Sequence, residues 1–154
     1  MSEQSDRLVF PASALAIKGR ALLLEGEPGS GKSSLALALI ERGAELIGDD
    51  AVVLTREGRS GEVRLIASPP PNIEGLLEVR GVGLLRYPVA PPTPVALILS
   101  LDAAAARLPE AAPMRELLGC AIPALPFEPG TTAPAGRVLA ALKLHGLALP
   151  DTEG

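Results

Sequence analysis

The sharpest chemical signal in the chain is the run Gly26-Glu27-Pro28-Gly29-Ser30-Gly31-Lys32-Ser33, which fits the pattern G-x-x-x-x-G-K-[ST]. Its glycines let the backbone curl so that several N–H groups aim at phosphate oxygens, and the N-terminus of a following helix adds partial positive charge. In such a loop Lys32 reaches the β- and γ-phosphates and the Ser33 hydroxyl sits on Mg²⁺. All eight residues are therefore candidate nucleotide ligands. A triphosphate site also needs carboxylates, to hold the metal and to take a proton if a hydroxyl is phosphorylated. Asp49-Asp50 closes a short apolar element one helix downstream, where the carboxyl end of a neighbouring strand faces the same crevice. Adjacent residues of an extended strand point to opposite faces, so one Asp can face the metal and the other the acceptor. Alone, such a pair reads as an acidic turn; beside a phosphate loop it reads as part of the site.

The elements that must position these groups are legible around them. Ala12–Ile17 and Ala21–Glu25 are short apolar runs around Lys18-Gly19, the punctuation of a hairpin whose second strand leads into the glycine loop. Ser33–Arg42 is rich in helix formers and is followed by Gly43, a usual helix stop; its apolar character runs nearly all round, which predicts a mostly buried helix. Glu45–Gly48, Ala51–Thr55 and Val63–Ala67 read as short strands, with Glu57–Glu62 an exposed turn. The segment from Pro69 to Leu85 starts with three prolines and contains Gly75, Gly81 and Gly83, which predicts a shaped loop. Val95–Leu101 has the length of a fully buried strand. A short helical stretch near Asp102–Leu108, a proline-rich connection through Pro129 and a final helix over Ala135–His145 complete the pattern. The fold class expected is α/β, with a central mixed β-sheet, an N-terminal hairpin and flanking helices. Residues 10–147 form one domain between a flexible N-terminus (1–9) and a tail (148–154).

Composition narrows the function. The 154 residues carry 14 Lys and Arg against 18 Asp and Glu, a formal net charge of −4, which argues against a broad nucleic-acid footprint. Aromatic residues are 2%, so stacking platforms for exposed bases are missing and aliphatic side chains must fill the core. Cys120 is the only cysteine, which excludes an intramolecular disulfide and fits a reducing compartment; flanked by apolar residues, it reads as a small buried hydrophobe. His145, the only histidine, falls on the final helix. No apolar window is long enough to span a membrane and the N-terminus lacks a signal pattern, so a cytoplasmic protein is expected.

Lys32 and Asp49 lie closer in sequence than the lysine and metal-binding Asp of most P-loop NTPases. The run GEPGSGKSSLALALIERGAELIGDD, with PPPNIEGLLEVRGVGLL after it, resembles the catalytic domain of the HPr kinase/phosphorylase family in its short form, over roughly residues 10–145. The most specific element is Leu76-Leu77-Glu78-Val79-Arg80-Gly81-Val82-Gly83, which is similar to the family's signature loop. The resemblance implies a P-loop kinase-like fold and Mg-ATP-dependent phosphorylation of a serine on HPr, the phosphocarrier of the sugar phosphotransferase system, with reverse phosphorolysis of phosphoseryl-HPr. It assigns acceptor activation to Asp49-Asp50, metal binding to Ser33, Glu78 and Asp50, and stabilisation of the transferring phosphoryl group to Arg80 and Arg107, beside Lys32. It also implies a homo-oligomer, often a hexamer. Two residues depart from the family pattern: Pro11 stands where a histidine is usual, and Ser34 where an acidic residue commonly follows the loop serine. The stretch Gly130–Arg137 resembles the phosphorolysis region only weakly. Two other readings stay open on the residues alone: a kinase for a different acceptor, and an ATP-binding regulatory module that transfers little phosphate.

Overall fold

The computed structural model describes residues 6–58, 62–71, 75–79, 81–102, 105, 111–130 and 134–148. The strands are β1 (Arg7–Phe10), β2 (Ser13–Ile17), β3 (Arg20–Glu25), β4 (Glu45–Gly48), β5 (Val52–Glu57), β6 (Arg64–Ser68), β7 (Leu76–Val79), β8 (Gly83–Arg86), β9 (Thr93–Leu101), β10 (Met114–Leu117) and β11 (Cys120–Phe127). Helix α1 (Lys32–Ile40) follows β3, and α2 (Pro134–His145) follows β11. Nine strands form one mixed sheet, ordered β1-β5-β6-β9-β3-β2-β4, with β11 on β9 and β10 on β11. The pairs β3–β9 and β9–β11 are parallel, and the other pairs in the sheet are antiparallel. This is the α/β class with a mixed sheet that the sequence predicts.

The hairpin comes from its turn. Lys18 and Gly19 both have positive φ, 52° and 83°, the geometry that matches the twist of two flanking strands. It sets Ser13 opposite Leu24 and Ile17 opposite Arg20. Strand alternation then divides the core between the two faces of the sheet. Leu22, Leu24, Leu97 and Leu99 meet Leu35 and Leu39 of α1 and Val138 and Leu142 of α2 on one face. Leu23 and Ile98 meet Ile47, Leu54, Leu65 and Ile122 on the other. Each such buried aliphatic side chain contributes about 1.5–3 kcal/mol, which is how a chain so poor in aromatics supports a two-faced sheet.

Three segments differ from expectation. Residues 7–9, expected in the flexible N-terminus, form β1 together with Phe10: the strand pairs with β5, with Leu8 and Phe10 packed on the core and Arg7 and Val9 exposed. The expected loop from Pro69 to Leu85 contains the separate two-stranded hairpin β7–β8, in which the glycines mark the ends and the turn. The proline-rich connection contains β10 and β11. Ala124 donates its N–H to Pro113 O on the β10 side. By alternation the nitrogen of Pro126 faces that side beyond the end of β10, and that of Pro123 faces the β9 side before the β9 ladder begins at Ala124, so neither proline removes a ladder bond. The helical stretch expected near Asp102–Leu108 lies mostly outside the described residues.

Candidate active site

The glycine loop springs from the carboxyl end of β3, beside the carboxyl end of β9. Gly26 sits in close quarters there: a Cβ on it would lie 2.5 Å from Ser30 Oγ and 3.3 Å from Leu101 Cβ, so the Ser30 side chain would have to turn away. Ser30 N–H donates to Glu27 O at 2.9 Å, which closes the loop's turn, and Gly31 caps α1 with φ 102°. The first intrahelical bond runs from Leu35 N to Gly31 O at 3.0 Å, so the N–H groups before it lack intrahelical partners. The first turn of α1 contains no acidic residue to compete with a bound anion.

Lys32 donates from Nζ to Gly26 O at 2.7 Å and stands 3.9 Å from Asp50 Oδ1. The Lys32 side chain is 12% exposed and that of Asp50 67%. Asp49 behaves differently from its neighbour. Its Oδ1 accepts from Ser33 Oγ at 2.9 Å and Ser13 Oγ at 2.8 Å, and its Oδ2 accepts from Glu78 N at 3.3 Å. The two carboxylates are set apart by a tight turn rather than by strand alternation: β4 ends at Gly48, and Asp50 has φ 67°. A Cβ on Gly48 would lie 2.3 Å from Ala51 O, so the turn requires glycine.

Pro28, Gly29, Gly31, Lys32, Ser33, Ser34, Asp50 and Glu78 line one cavity of about 450 Å³. The structure thus unites most of the candidate residues: the loop, Lys32, Ser33 and Asp50 with Glu78 from β7, and Asp49 directly behind them. Arg80 and Arg107 lie outside the described residues. Cys120 is buried, and burial pushes its thiol up from the ordinary range; His145 ends α2. A larger cleft of about 900 Å³, lined by Glu57, Arg64, Val95, Cys120 and Leu147 among others, lies towards the amino end of β9, away from the phosphate loop.

Two features escaped the sequence reading. Ser13, fully buried on β2, donates to Asp49 and accepts the N–H of Asp50 at 3.2 Å; its only sequence signal is a lone hydroxyl in an apolar strand. Glu25, the residue before Gly26, receives a two-pronged ion pair from Arg115, with Nη1–Oε1 at 2.8 Å and Nη2–Oε2 at 2.6 Å, and a hydrogen bond from Ser100 Oγ. Burial pushes the Glu25 carboxyl up, but the Arg115 and Ser100 hydrogen bonds and the Arg115 charge outweigh it and hold the carboxyl below its ordinary value.

The residues fit a nucleotide polyphosphate with a divalent cation. Ser30 Oγ is a buried polar atom without a partner among the described residues, inside the loop that would cradle phosphate. Ser33, Asp50 and Glu78 bring oxygen donors to the same cavity. Among the described residues no cluster of three His, Cys, Asp or Glu could hold a metal alone. A Mg²⁺ ion needs only one or two protein oxygens beside substrate phosphates and water, and Ser33, Asp50 and Glu78 would offer them.

Residues 4–90, more than half the chain, match the HPr Serine kinase C-terminal domain. The chain belongs to this family. It is 42% identical over 76 residues to the HPr kinase/phosphorylase of Chlorobium phaeobacteroides (strain DSM 266), covering 49% of this chain and 23% of that protein. It is 44% identical over 72 residues to the one from Clostridium tetani, covering 47% and 22%. The matched stretch is under a quarter of the length of these curated relatives. The structure of the Hpr(Ser) kinase/phosphatase from Coxiella burnetii superposes with a TM-score of 0.70 at 27% identity, covering 88% of this chain and 92% of that one. Kinship therefore extends through the P-loop kinase-like fold. No helix among the described residues is long and apolar enough to cross a membrane.

Proposed function

We propose that the protein is a serine kinase that transfers the γ-phosphoryl group of Mg-ATP to a serine of HPr, the phosphocarrier of the sugar phosphotransferase system, in the cytoplasm. The observation that carries this reading is the convergence of Lys32, Ser33, Asp49, Asp50 and Glu78 on one phosphate loop. Bound Mg-ATP supplies the phosphoryl group and a cation that offsets its charge. The N–H groups of Gly29 and Gly31 and the start of α1 bind the phosphates, and Lys32, steered by Gly26 O, holds its charge over them. Ser33, Asp50 and Glu78 would hold the cation. The Asp49-Asp50 pair takes the proton of the acceptor hydroxyl: Asp50 opens to the cavity, while Asp49 is fixed from behind by three donors. Arg80 and Arg107 complete the reading as cationic partners of the transferring group, because a guanidinium stays charged and presents paired donors to phosphoryl oxygens. Hexameric assembly and reverse phosphorolysis of phosphoseryl-HPr belong to the same proposal. Pro11 bears on the reverse direction, since proline offers no group to handle a proton.

The test is mass spectrometry of the cognate HPr after incubation with the protein, ATP and Mg²⁺, with Lys32→Ala as control. Lys32-dependent phosphoserine on HPr supports the proposal. ATP binding without phosphate on HPr overturns it in favour of another acceptor or a nucleotide-sensing module, and HPr binding without transfer singles out the module.

A further inference from the structure

Among the described residues the buried core holds two polar side chains, Ser13 and Thr93. Thr93 satisfies its hydroxyl locally, on Pro91 O at 2.7 Å. Ser13 reaches across 36 and 37 positions of sequence, donating to Asp49 Oδ1 at 2.8 Å and accepting from Asp50 N at 3.2 Å. One buried hydroxyl thus uses its donor and an acceptor lone pair on the two adjacent aspartates.

The backbone explains the arrangement. The β2–β4 ladder pairs Ala14 with Gly48 and extends no further towards Ser13. Beyond Gly48 the chain leaves the strand and turns, with Asp50 in the left-handed region, which Asp enters more readily than most residues with a side chain. The Ser13 side chain continues the connection between the two segments where the ladder stops, grasping the turn from its buried side. Asp50 can therefore open to the cavity while Asp49 remains against Ser33 at 2.9 Å.

We propose that Ser13 is a positioning residue for phosphoryl transfer, acting through Asp49 and Asp50: its hydroxyl holds the carboxylates apart, one against the phosphate-loop serine and the other at the cavity. The assignment rests on the kinase reading above for its effect on turnover, but not for its effect on the placement of Asp49 beside Ser33. A packing role would be met by any small side chain that fills the space; a positioning role needs the hydroxyl.

The experiment compares the full-length chain with Ser13→Ala, Ser13→Cys and Ser13→Thr. Alanine removes the hydroxyl and some volume, cysteine keeps the shape with a weak donor, and threonine keeps the hydroxyl. Thermal unfolding, kcat and KM for ATP with HPr as acceptor, and the Mg²⁺ dependence of ATP binding are measured for each. Ser13→Ala and Ser13→Cys are expected to lower kcat by about 10- to 100-fold and to shift the Mg²⁺ dependence of ATP binding, as losing an outer hydrogen-bond partner of a metal-site group does. Ser13→Thr is expected to restore both. An undiminished kcat in a folded Ala or Cys variant overturns the proposal, as does an equal loss in a folded Ser13→Thr, a change confined to KM, or failure of both Ala and Cys variants to fold. If the unmodified protein does not phosphorylate HPr, the proposed function falls instead. The Mg²⁺ dependence of ATP binding then decides on Ser13, an unchanged dependence in the Ala and Cys variants overturning its role.

Discussion

Ser33 Oγ donates to Asp49 Oδ1 at 2.9 Å, joining the first turn of the phosphate-loop helix to the turn that ends β4. Because Asp49 also receives Ser13 and Glu78, it links α1, β2 and β7 at one carboxylate. Its neighbour Asp50, 67% exposed on its side chain, faces Lys32 across the cavity. Exchanging either carboxylate for an amide keeps its size and removes its charge and its capacity to take a proton. Asp49→Asn and Asp50→Asn are each expected to lower transfer to HPr by about 10²- to 10⁴-fold while ATP binding is largely retained. Rapid-quench transfer assays beside nucleotide titrations check this, and transfer at the unmodified rate in both variants would remove the pair from the mechanism.

Lys32 is tied to Gly26 O at 2.7 Å, so its ammonium is already placed at the loop before a phosphate arrives. Its truncation removes a preorganised cation from a site where negative charge collects. Lys32→Ala is expected to cost about 3–4 kcal/mol of transition-state stabilisation, seen as a loss of more than 10²-fold in kcat/KM for ATP. The comparison is made on folded protein, by circular dichroism and steady-state kinetics together.

The Gly48 turn gives a steric prediction. A methyl group there would meet Ala51 O at 2.3 Å, too close for the backbone to keep its course. Gly48→Ala is therefore expected to destabilise the fold by about 1–3 kcal/mol and to displace the aspartates, reducing transfer more than ATP binding. Chemical denaturation gives the first quantity and paired binding and transfer assays the second; an alanine variant with unchanged turnover would show that the turn does not set the site.

What could be read from the sequence was what is written locally. The phosphate loop is contiguous, and the hairpin before it is announced by Lys18-Gly19; both elements stand where expected, and α1 runs Lys32–Ile40 against the expected Ser33–Arg42. Asp49-Asp50 was legible as a pair only because the loop preceded it, and the turn that splits the pair was not, since neither Asp50's positive φ nor its contact with Ser13, 37 positions away, is written in the local sequence. Prolines disguised β11, because whether a missing N–H matters depends on which side of the strand has a partner at that residue. Glycines disguised β7–β8 for a related reason: they mark the turn and ends of a hairpin as readily as a loop. Ser13 and the pair Glu25–Arg115 are long-range contacts, and no local pattern encodes a hydroxyl or an arginine brought from another strand.

The Glu25–Arg115 pair yields a pH prediction. Arg115 lies on β10 and Glu25 ends β3, so the pair fastens the β10–β11 hairpin to the strand that enters the phosphate loop. Burial alone would raise the Glu25 carboxyl, yet its partners hold it below the ordinary value of 4.5, and the same contact raises Arg115, which stays charged throughout. A carboxyl whose value is lower in the folded chain than in the unfolded one stabilises the fold above its unfolded value; that contribution is lost as the pH falls through the folded value. Both partners are partly exposed, 38% for Arg115 and 22% for Glu25, so solvent screening limits the worth of the pair to about 0.5–1 kcal/mol. Glu25→Gln is accordingly expected to unfold at a lower temperature than the unmodified chain at pH 7, with the gap closing as the pH drops below about 4. Thermal unfolding of both proteins across this range checks the sign. A gap that persists undiminished in acid would mean that Glu25 acts through shape and neutral hydrogen bonding rather than through its charge.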